Sequence, residues 1–123
     1  MKRHELTEYI QKEYNADPEY LWAKFPEYAV FRRGDNRKWF ACILDVAGRK
    51  LGLETDEVFD ILNVKCGPQL SGVFRENPGV FPAYHMNRES WVSVLLDGSV
   101  PQEMIRSLLE LSYSMTAGKV KKI

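Results

Sequence analysis

The chain has few cysteines, no long apolar run and no net charge, and each absence excludes a class of protein. Two cysteines in 123 residues provide neither a disulfide framework nor, without a nearby ligand set, a zinc site. No stretch approaches the roughly 20 apolar residues of a membrane span, and the charged N-terminus lacks the apolar segment of a signal peptide. We therefore expect a cytoplasmic protein without a metal or another cofactor.

The charges balance overall but are unevenly distributed along the chain. Seventeen basic and seventeen acidic residues cancel, which argues against a protein that binds nucleic acid mainly through a large positive excess. Residues 24–50 contain seven basic and three acidic side chains, whereas residues 51–64 contain four acidic and no basic ones. The molecule is thus expected to have one positive and one negative region.

The size and the hydrophobic content suit one domain. With 45% hydrophobic and 12% aromatic residues the chain can fill a single core, and 123 residues are too few for two ordinary domains. We predict one domain over residues 1–123, of which residues 117–123 form a flexible tail. A monomer is expected, because no long apolar stripe remains once the core is assigned.

Hydrophobic periodicity predicts alternating groups of helices and strands. Apolar side chains recur at helical spacing over residues 3–14, which predicts a first helix, and a further helical turn is predicted over residues 19–25. Residues 28–33 and 38–46 are rich in aromatic and branched side chains and flank a polar turn, which is typical of a β-hairpin. In its second strand, strict alternation places Trp39 with Ala41 and Ile43 on one face, and Phe40 with Cys42, Leu44 and Val46 on the other.

The remainder of the chain completes a mixed fold. Residues 58–66 predict a third strand, Pro68 begins a short helix, and residues 80–86 and 91–96 predict two more strands. A final helix follows Pro101. The order α-β-β-β-α-β-β-α indicates an α+β domain, in which helices pack on one face of a mostly antiparallel sheet.

Several of these segments together resemble the MmcQ/YjbR family of small bacterial proteins. The matching stretches lie within residues 19–116 and read EYLWAKFPEYAVFRRGDNRKWFACILDV, KLGL, DILNVKC, FPAYHMNRESWVSVLLDGSVP and LLELSYSMT. The most specific element is the run from Pro82 to Asn87, followed by Trp91 and Asp97-Gly98. The resemblance implies a fold similar to the frataxin-like CyaY proteins and DNA binding of the double-wing type. It implies no catalytic residues.

The leading functional hypothesis places DNA at two basic hairpin turns. The first turn carries Arg32, Arg33, Arg37 and Lys38, and the second carries Arg88. Guanidinium groups pair with phosphates through two parallel hydrogen bonds, so two such turns would grip a DNA backbone as a pair of wings. The alternative is that these charges only keep the strand edges solvated.

A second hypothesis concerns the sheet face opposite the helices. Alternation and proximity predict that this face carries Asn63, Lys65, Tyr84, His85 and Trp91. Such a surface suits a protein partner, a stacked base or a small anionic ligand, although aromatic residues in strands more often serve packing. No nucleophile with an adjacent base and no phosphate-binding glycine loop occurs, so we predict a binding protein rather than an enzyme.

Overall fold

The helices and strands follow one another in the predicted order. A computed structural model describes residues 1–118, and the predicted tail beyond Gly118 lies outside the described residues. The elements are α1 (Arg3–Tyr14), β1 (Ala29–Arg32), β2 (Trp39–Ala47), β3 (Val58–Lys65), α2 (Pro68–Phe74), β4 (Val80–Pro82), β5 (Trp91–Leu95) and α3 (Gln102–Met115). A short 3-10 turn, Gly48–Leu51, follows β2. Within residues 1–118 the structure contains no helix whose length and apolarity would let it span a bilayer.

The sheet is antiparallel throughout and has the strand order β1-β2-β3-β5-β4. At one end of the sheet Ala41 pairs with Val64 and Lys65 pairs with Trp91. The β1–β2 turn and the β4–β5 connection, residues 83–90, both leave the sheet at this end. Neighbouring strands lie about 4.8 Å apart, so β2 and β5, which flank β3, are separated by about 10 Å.

One face of the sheet is covered by helices. Leu6 and Ile10 of α1 pack against it together with Ile105, Leu108 and Leu109 of α3, and all five side chains are fully buried. The helical spacing of these residues puts them on one side of each helix, where they exclude water from the sheet. The predicted α+β arrangement is confirmed, while the likeness to CyaY stays a prediction.

A β-bulge reverses the faces predicted for Trp39 and Phe40. Phe31 pairs with Ala41 and Arg32 pairs with Trp39, so Phe40 is the extra residue in β2. Phe40 enters the helix-covered core, whereas Trp39 packs on the opposite face. The prediction from alternation was wrong here because it assumed an uninterrupted pleat.

The buried hydroxyl of Ser112 in α3 satisfies backbone groups beside the bulge. It donates to the Phe40 carbonyl at 2.5 Å and accepts from the Lys65 N–H at 2.8 Å. Buried backbone groups without a partner are costly, so this contact compensates for the interrupted pairing of the strands and ties α3 to β2 and β3.

The other face of the sheet, called here the open face, is covered by loops. Its apolar cluster includes Val30, Cys42, Leu44, Ile61 and Leu95. The covering loop, residues 19–28, contains two hydrogen-bonded turns but no helix, so the helical turn predicted over residues 19–25 was wrong. Two backbone hydrogen bonds of 2.9 Å between Glu19 and Val30 hold this loop along the edge strand β1.

Candidate ligand-binding pocket

A cavity of about 330 Å³ opens on the open face. Its volume lies at the lower end of the range of about 300–1,000 Å³ that is usual for small-molecule sites. Residues of β2 and β3 and of two loops line it. The lining residues are Trp22, Phe25 and Tyr28 of the covering loop, Trp39, Cys42 and Leu44 of β2, Asn63 of β3, and His85 and Met86 of the β4–β5 connection.

The aromatic wall is organised by contacts among its own rings. Trp22 meets Trp39 edge to face at a centroid distance of 5.8 Å, and it meets Tyr28 in the same manner at 6.0 Å. Phe25 stacks on Tyr28 at 4.7 Å. These geometries suit the charge distribution of aromatic rings and hold the wall in place. Trp22 is nevertheless 37% exposed and Phe25 46% exposed, so the wall is ordered but incompletely covered.

The buried amide of Asn63 joins the pocket floor to the β4–β5 connection. Its Nδ2 donates to the Tyr84 carbonyl at 2.8 Å, and its Oδ1 accepts from the Ser93 hydroxyl at 2.5 Å. The same hydroxyl accepts from the Tyr84 N–H at 2.9 Å. These bonds compensate for burying a polar side chain with no exposed area. They also fix the loop that carries His85.

His85 adopts a strained backbone conformation beside the pocket. Its φ is +62°, in the left-handed region that residues other than glycine rarely occupy, and its ring lies 3.9 Å from that of Tyr84. Such a conformation costs on the order of 1 kcal/mol and persists only where the surroundings impose it. The preceding residue, Tyr84, is held on both sides by its bonds to Asn63 and Ser93.

Cys42 contributes a neutral thiol to the pocket floor. Burial raises the pKa of this thiol to about 12, so it remains protonated at neutral pH. A protonated thiol is a poor nucleophile and a poor metal ligand, and Cys42 acts here as a small apolar wall group. Over residues 1–118 no group of three or more His, Cys, Asp or Glu side chains is placed to hold a metal ion.

The structure brings together part of the predicted open-face set. Asn63 and His85 line the pocket, and Tyr84 packs beside it on the open-face cluster. Lys65 and Trp91 pair at the end of the sheet and are not among the lining residues. Six lining residues were not predicted as site residues from the sequence: Trp22, Phe25, Tyr28, Cys42, Leu44 and Met86. The sequence did contain one indication of the aromatic wall, because four aromatic residues fall within residues 20–28.

The tip of the first hairpin docks on the end of α3 through Arg33. Its guanidinium pairs with the Asp35 carboxylate through two hydrogen bonds of 2.9 and 2.8 Å, which lower the pKa of Asp35 to about 2. It also lies over the Tyr113 ring at 3.9 Å and donates to the Tyr113 carbonyl. With 8% of its surface exposed, Arg33 has little area left for the phosphate contact predicted for it.

The other predicted cations differ in how much of their charge is neutralised. Glu19 pairs with Arg32 at 3.1 Å and with Arg37 at 3.3 Å. Lys38 and Arg88 are exposed, and neither forms a salt bridge within residues 1–118. Three of the five predicted phosphate contacts thus have a carboxylate partner already, and phosphate binding itself stays a prediction.

The fold and the pocket define a small α+β domain with one helix-covered and one open sheet face. The chain belongs to the YjbR family, whose model matches residues 4–115, and this confirms the family predicted from the sequence. It is 36% identical over 116 residues to YyaQ of Bacillus subtilis, covering 94% of this chain and 98% of YyaQ.

Solved structures of related proteins have the same fold. A crystal structure of a Pseudomonas syringae protein is 44% identical and superposes with a TM-score of 0.92, covering 95% of this chain and 100% of that one. A Deinococcus radiodurans protein with a DUF419 domain has a TM-score of 0.69 at 25% identity, covering 91% of this chain and 75% of that one. Proteins that are 44% and 25% identical to this chain thus share its architecture.

Proposed function

We propose that this protein binds a small ring-containing ligand in the pocket of the open face. The observation that carries the proposal is a cavity of about 330 Å³ walled by aromatic side chains and floored in part by one buried amide. An apolar concave site with a few placed polar groups is the usual form of a small-molecule site. Flat rings are favoured occupants, because they can stack on the exposed aromatic surfaces of the wall.

The charges around the pocket favour a neutral ligand. No carboxylate is among the lining residues. The guanidinium of Arg32 lies 5.7 Å from the centre of the Trp39 ring, so a cation already uses one face of the aromatic wall. Glu19 pairs with Arg32 at 3.1 Å and balances its charge, so neither a free cation nor a lining carboxylate attracts an ionic ligand.

The test is a ligand-observed NMR screen of small aromatic fragments against the full chain. We expect fragments to bind the wild-type protein and to bind Trp22→Ala about tenfold more weakly, because the substitution removes a stacking surface. Tyr20→Ala is the matched control, since Tyr20 lies in the same loop, is 58% exposed and does not line the pocket. The absence of binding, or equal weakening by both substitutions, would contradict the proposal.

DNA binding is the second candidate, and the sheet topology favours it. The two basic connections leave the same end of the sheet, their inner strands about 10 Å apart, so both can face one polyanion. Lys38 and Arg88 would then each contact a phosphate. With two such contacts, the logarithm of the affinity should fall against the logarithm of the salt concentration with a slope of about −2.

Fluorescence anisotropy with duplex DNA at low salt tests this second candidate. Lys38→Ala and Arg88→Ala should each reduce the slope by about one. Trp22→Ala should leave it unchanged, which separates this function from ligand binding in the pocket. A protein that binds no duplex at low salt would count against the DNA hypothesis.

A further inference from the structure

Part of the pocket wall is a segment whose hydrogen bonds are local. It comprises residues 20–26 of the covering loop, all of them exposed, and is called here the flap. The Phe25 N–H donates to the Trp22 carbonyl at 3.1 Å, and the Phe25 carbonyl accepts from the Tyr28 N–H at 3.0 Å. Over residues 1–118 no hydrogen bond or salt bridge joins the flap to a residue outside the covering loop.

The two ends of the flap, in contrast, are anchored by polar contacts. At one end, Glu19 forms two backbone hydrogen bonds with β1, and its carboxylate pairs with Arg32 and Arg37. At the other end, the guanidinium of Arg3 in α1 donates to the Glu27 carbonyl. A segment with few contacts of its own opens locally at a low free-energy cost, and its anchored ends then serve as hinges.

The rings of the flap give an occupant of the pocket a means of closing it. Trp22 and Phe25 line the cavity and keep a large part of their surface exposed. Among residues 1–118 the pair of Trp22 and Trp39 is the aromatic contact that joins the flap to the sheet. An apolar occupant adds contacts with both rings of the flap and buries their exposed surface. Occupancy therefore favours the closed position of the flap.

We propose that the flap closes over the ligand and controls its entry and release by turning about its two anchored ends. The inference rests on the proposed ligand binding and adds the movement that admits the ligand. Movements of this kind take microseconds to milliseconds and exclude water from the bound molecule. Release then requires opening of the flap, so the opening rate sets an upper limit on the dissociation rate of the ligand.

Fluorine NMR of protein labelled with fluorotryptophan tests the movement. Of the three tryptophans, Trp22 lies in the flap and Trp39 in β2, whereas Trp91 is buried and does not line the pocket. In the free protein we expect relaxation dispersion at Trp22 and none at Trp91. Saturation with the tightest-binding neutral fragment of the screen, indole being the first probe, should reduce the dispersion at Trp22 at least about threefold, because the flap then stays closed.

Substitutions at the anchors provide a second test that leaves the lining residues intact. Glu19→Gln and Arg3→Ala each weaken one end of the flap and should raise the dissociation rate of the same fragment by about two- to threefold, the effect of a partly exposed ion pair. Lys12→Ala is the control, since Lys12 is exposed on the same helix as Arg3 and forms no salt bridge within residues 1–118. Line-shape analysis of the fragment resonances measures the rates.

The outcomes separate this inference from the proposed function. A fragment that binds in a Trp22-dependent manner while Trp22 shows no more dispersion than Trp91 overturns the flap and leaves the proposed function in place. Dispersion that binding does not reduce, or equal dissociation rates in wild type and both anchor variants, has the same consequence. A protein that binds no aromatic fragment removes both the flap and the proposed function.

Discussion

The two faces of the sheet differ in how completely they are covered. On the helix-covered face, Leu6, Ile10 and Leu108 have no exposed surface. On the open face, Trp22 and Phe25 remain partly exposed and enclose a cavity. Helices bring continuous apolar sides that exclude water, whereas a loop covers a sheet only where its side chains reach. The comparison indicates that the closely packed core lies on one face and that the space for the proposed ligand lies on the other.

Leu108→Ala should lower the stability of the protein more than any substitution on the open face. It leaves a cavity in the fully packed core, and the free energy of unfolding should fall by about 2–5 kcal/mol in urea titrations. Fragment affinity in the pocket should remain unchanged well below the unfolding temperature. Val73→Ala on α2, where Val73 is 56% exposed, is the control and should change stability by less than about 0.5 kcal/mol. Equal losses for both would remove the basis of the comparison.

Arg33→Ala should have the next largest effect, because it removes the contacts of Arg33 with Asp35 and Tyr113. Only the bond from Asn36 to the Thr116 carbonyl would then remain of the side-chain hydrogen bonds described between this turn and the end of α3. The loss of charge-assisted hydrogen bonds and of the contact with the Tyr113 ring should cost about 2–3 kcal/mol of unfolding free energy. Arg37→Ala is the control, since its side chain is 62% exposed and should contribute less than about 1 kcal/mol. Thermal or urea unfolding measures the loss of unfolding free energy for both variants. A neutral Arg33→Ala would show that the docking of the tip is not stabilising.

Trp22→Ala should destabilise the protein by only about 1 kcal/mol, although tryptophan is the largest side chain. Its partial exposure and the adjacent cavity mean that few contacts are lost. Chemical unfolding measures this value, to be compared with the tenfold loss of fragment affinity expected for the same variant. A loss near that of Leu108→Ala would show that the open face contributes to stability as the covered face does.

Asp35→Asn should alter the pH dependence of stability, and this is the smallest effect. The folded pKa of Asp35, about 2, lies below the ordinary value of 3.8. The contribution of its pairing with Arg33 is therefore fully present above about pH 4 and is lost as the pH falls through 2. Unfolding experiments from pH 7 to 2 should show a difference between wild type and variant that vanishes at the acidic end. In the Arg33→Ala background the substitution should have little effect at any pH.

Local sequence patterns were sufficient for most of the fold. The helix predicted over residues 3–14 coincides with α1, since its spacing reflects contacts with one face of a neighbouring sheet. The bulge at Phe40 was missed, because one extra residue in a strand does not produce a recognisable periodic pattern in the sequence. Of the residues that line the candidate pocket, only Asn63 and His85 were predicted as site residues. Asn63 is a polar residue in an apolar strand, and His85 is a polar residue in an aromatic run.

The sequence by itself determined the order of helices and strands, the α+β class and the family, because these depend on neighbouring residues and on contiguous motifs. Only the tertiary structure decided which arginines keep a free charge and where a cavity forms. Arg33 meets Tyr113 across 80 positions of the chain, and the pocket draws its walls and floor from the covering loop, β2, β3 and the β4–β5 connection. Ion pairing, burial and enclosed volume depend on distances between remote segments, and these distances exist only in the folded chain.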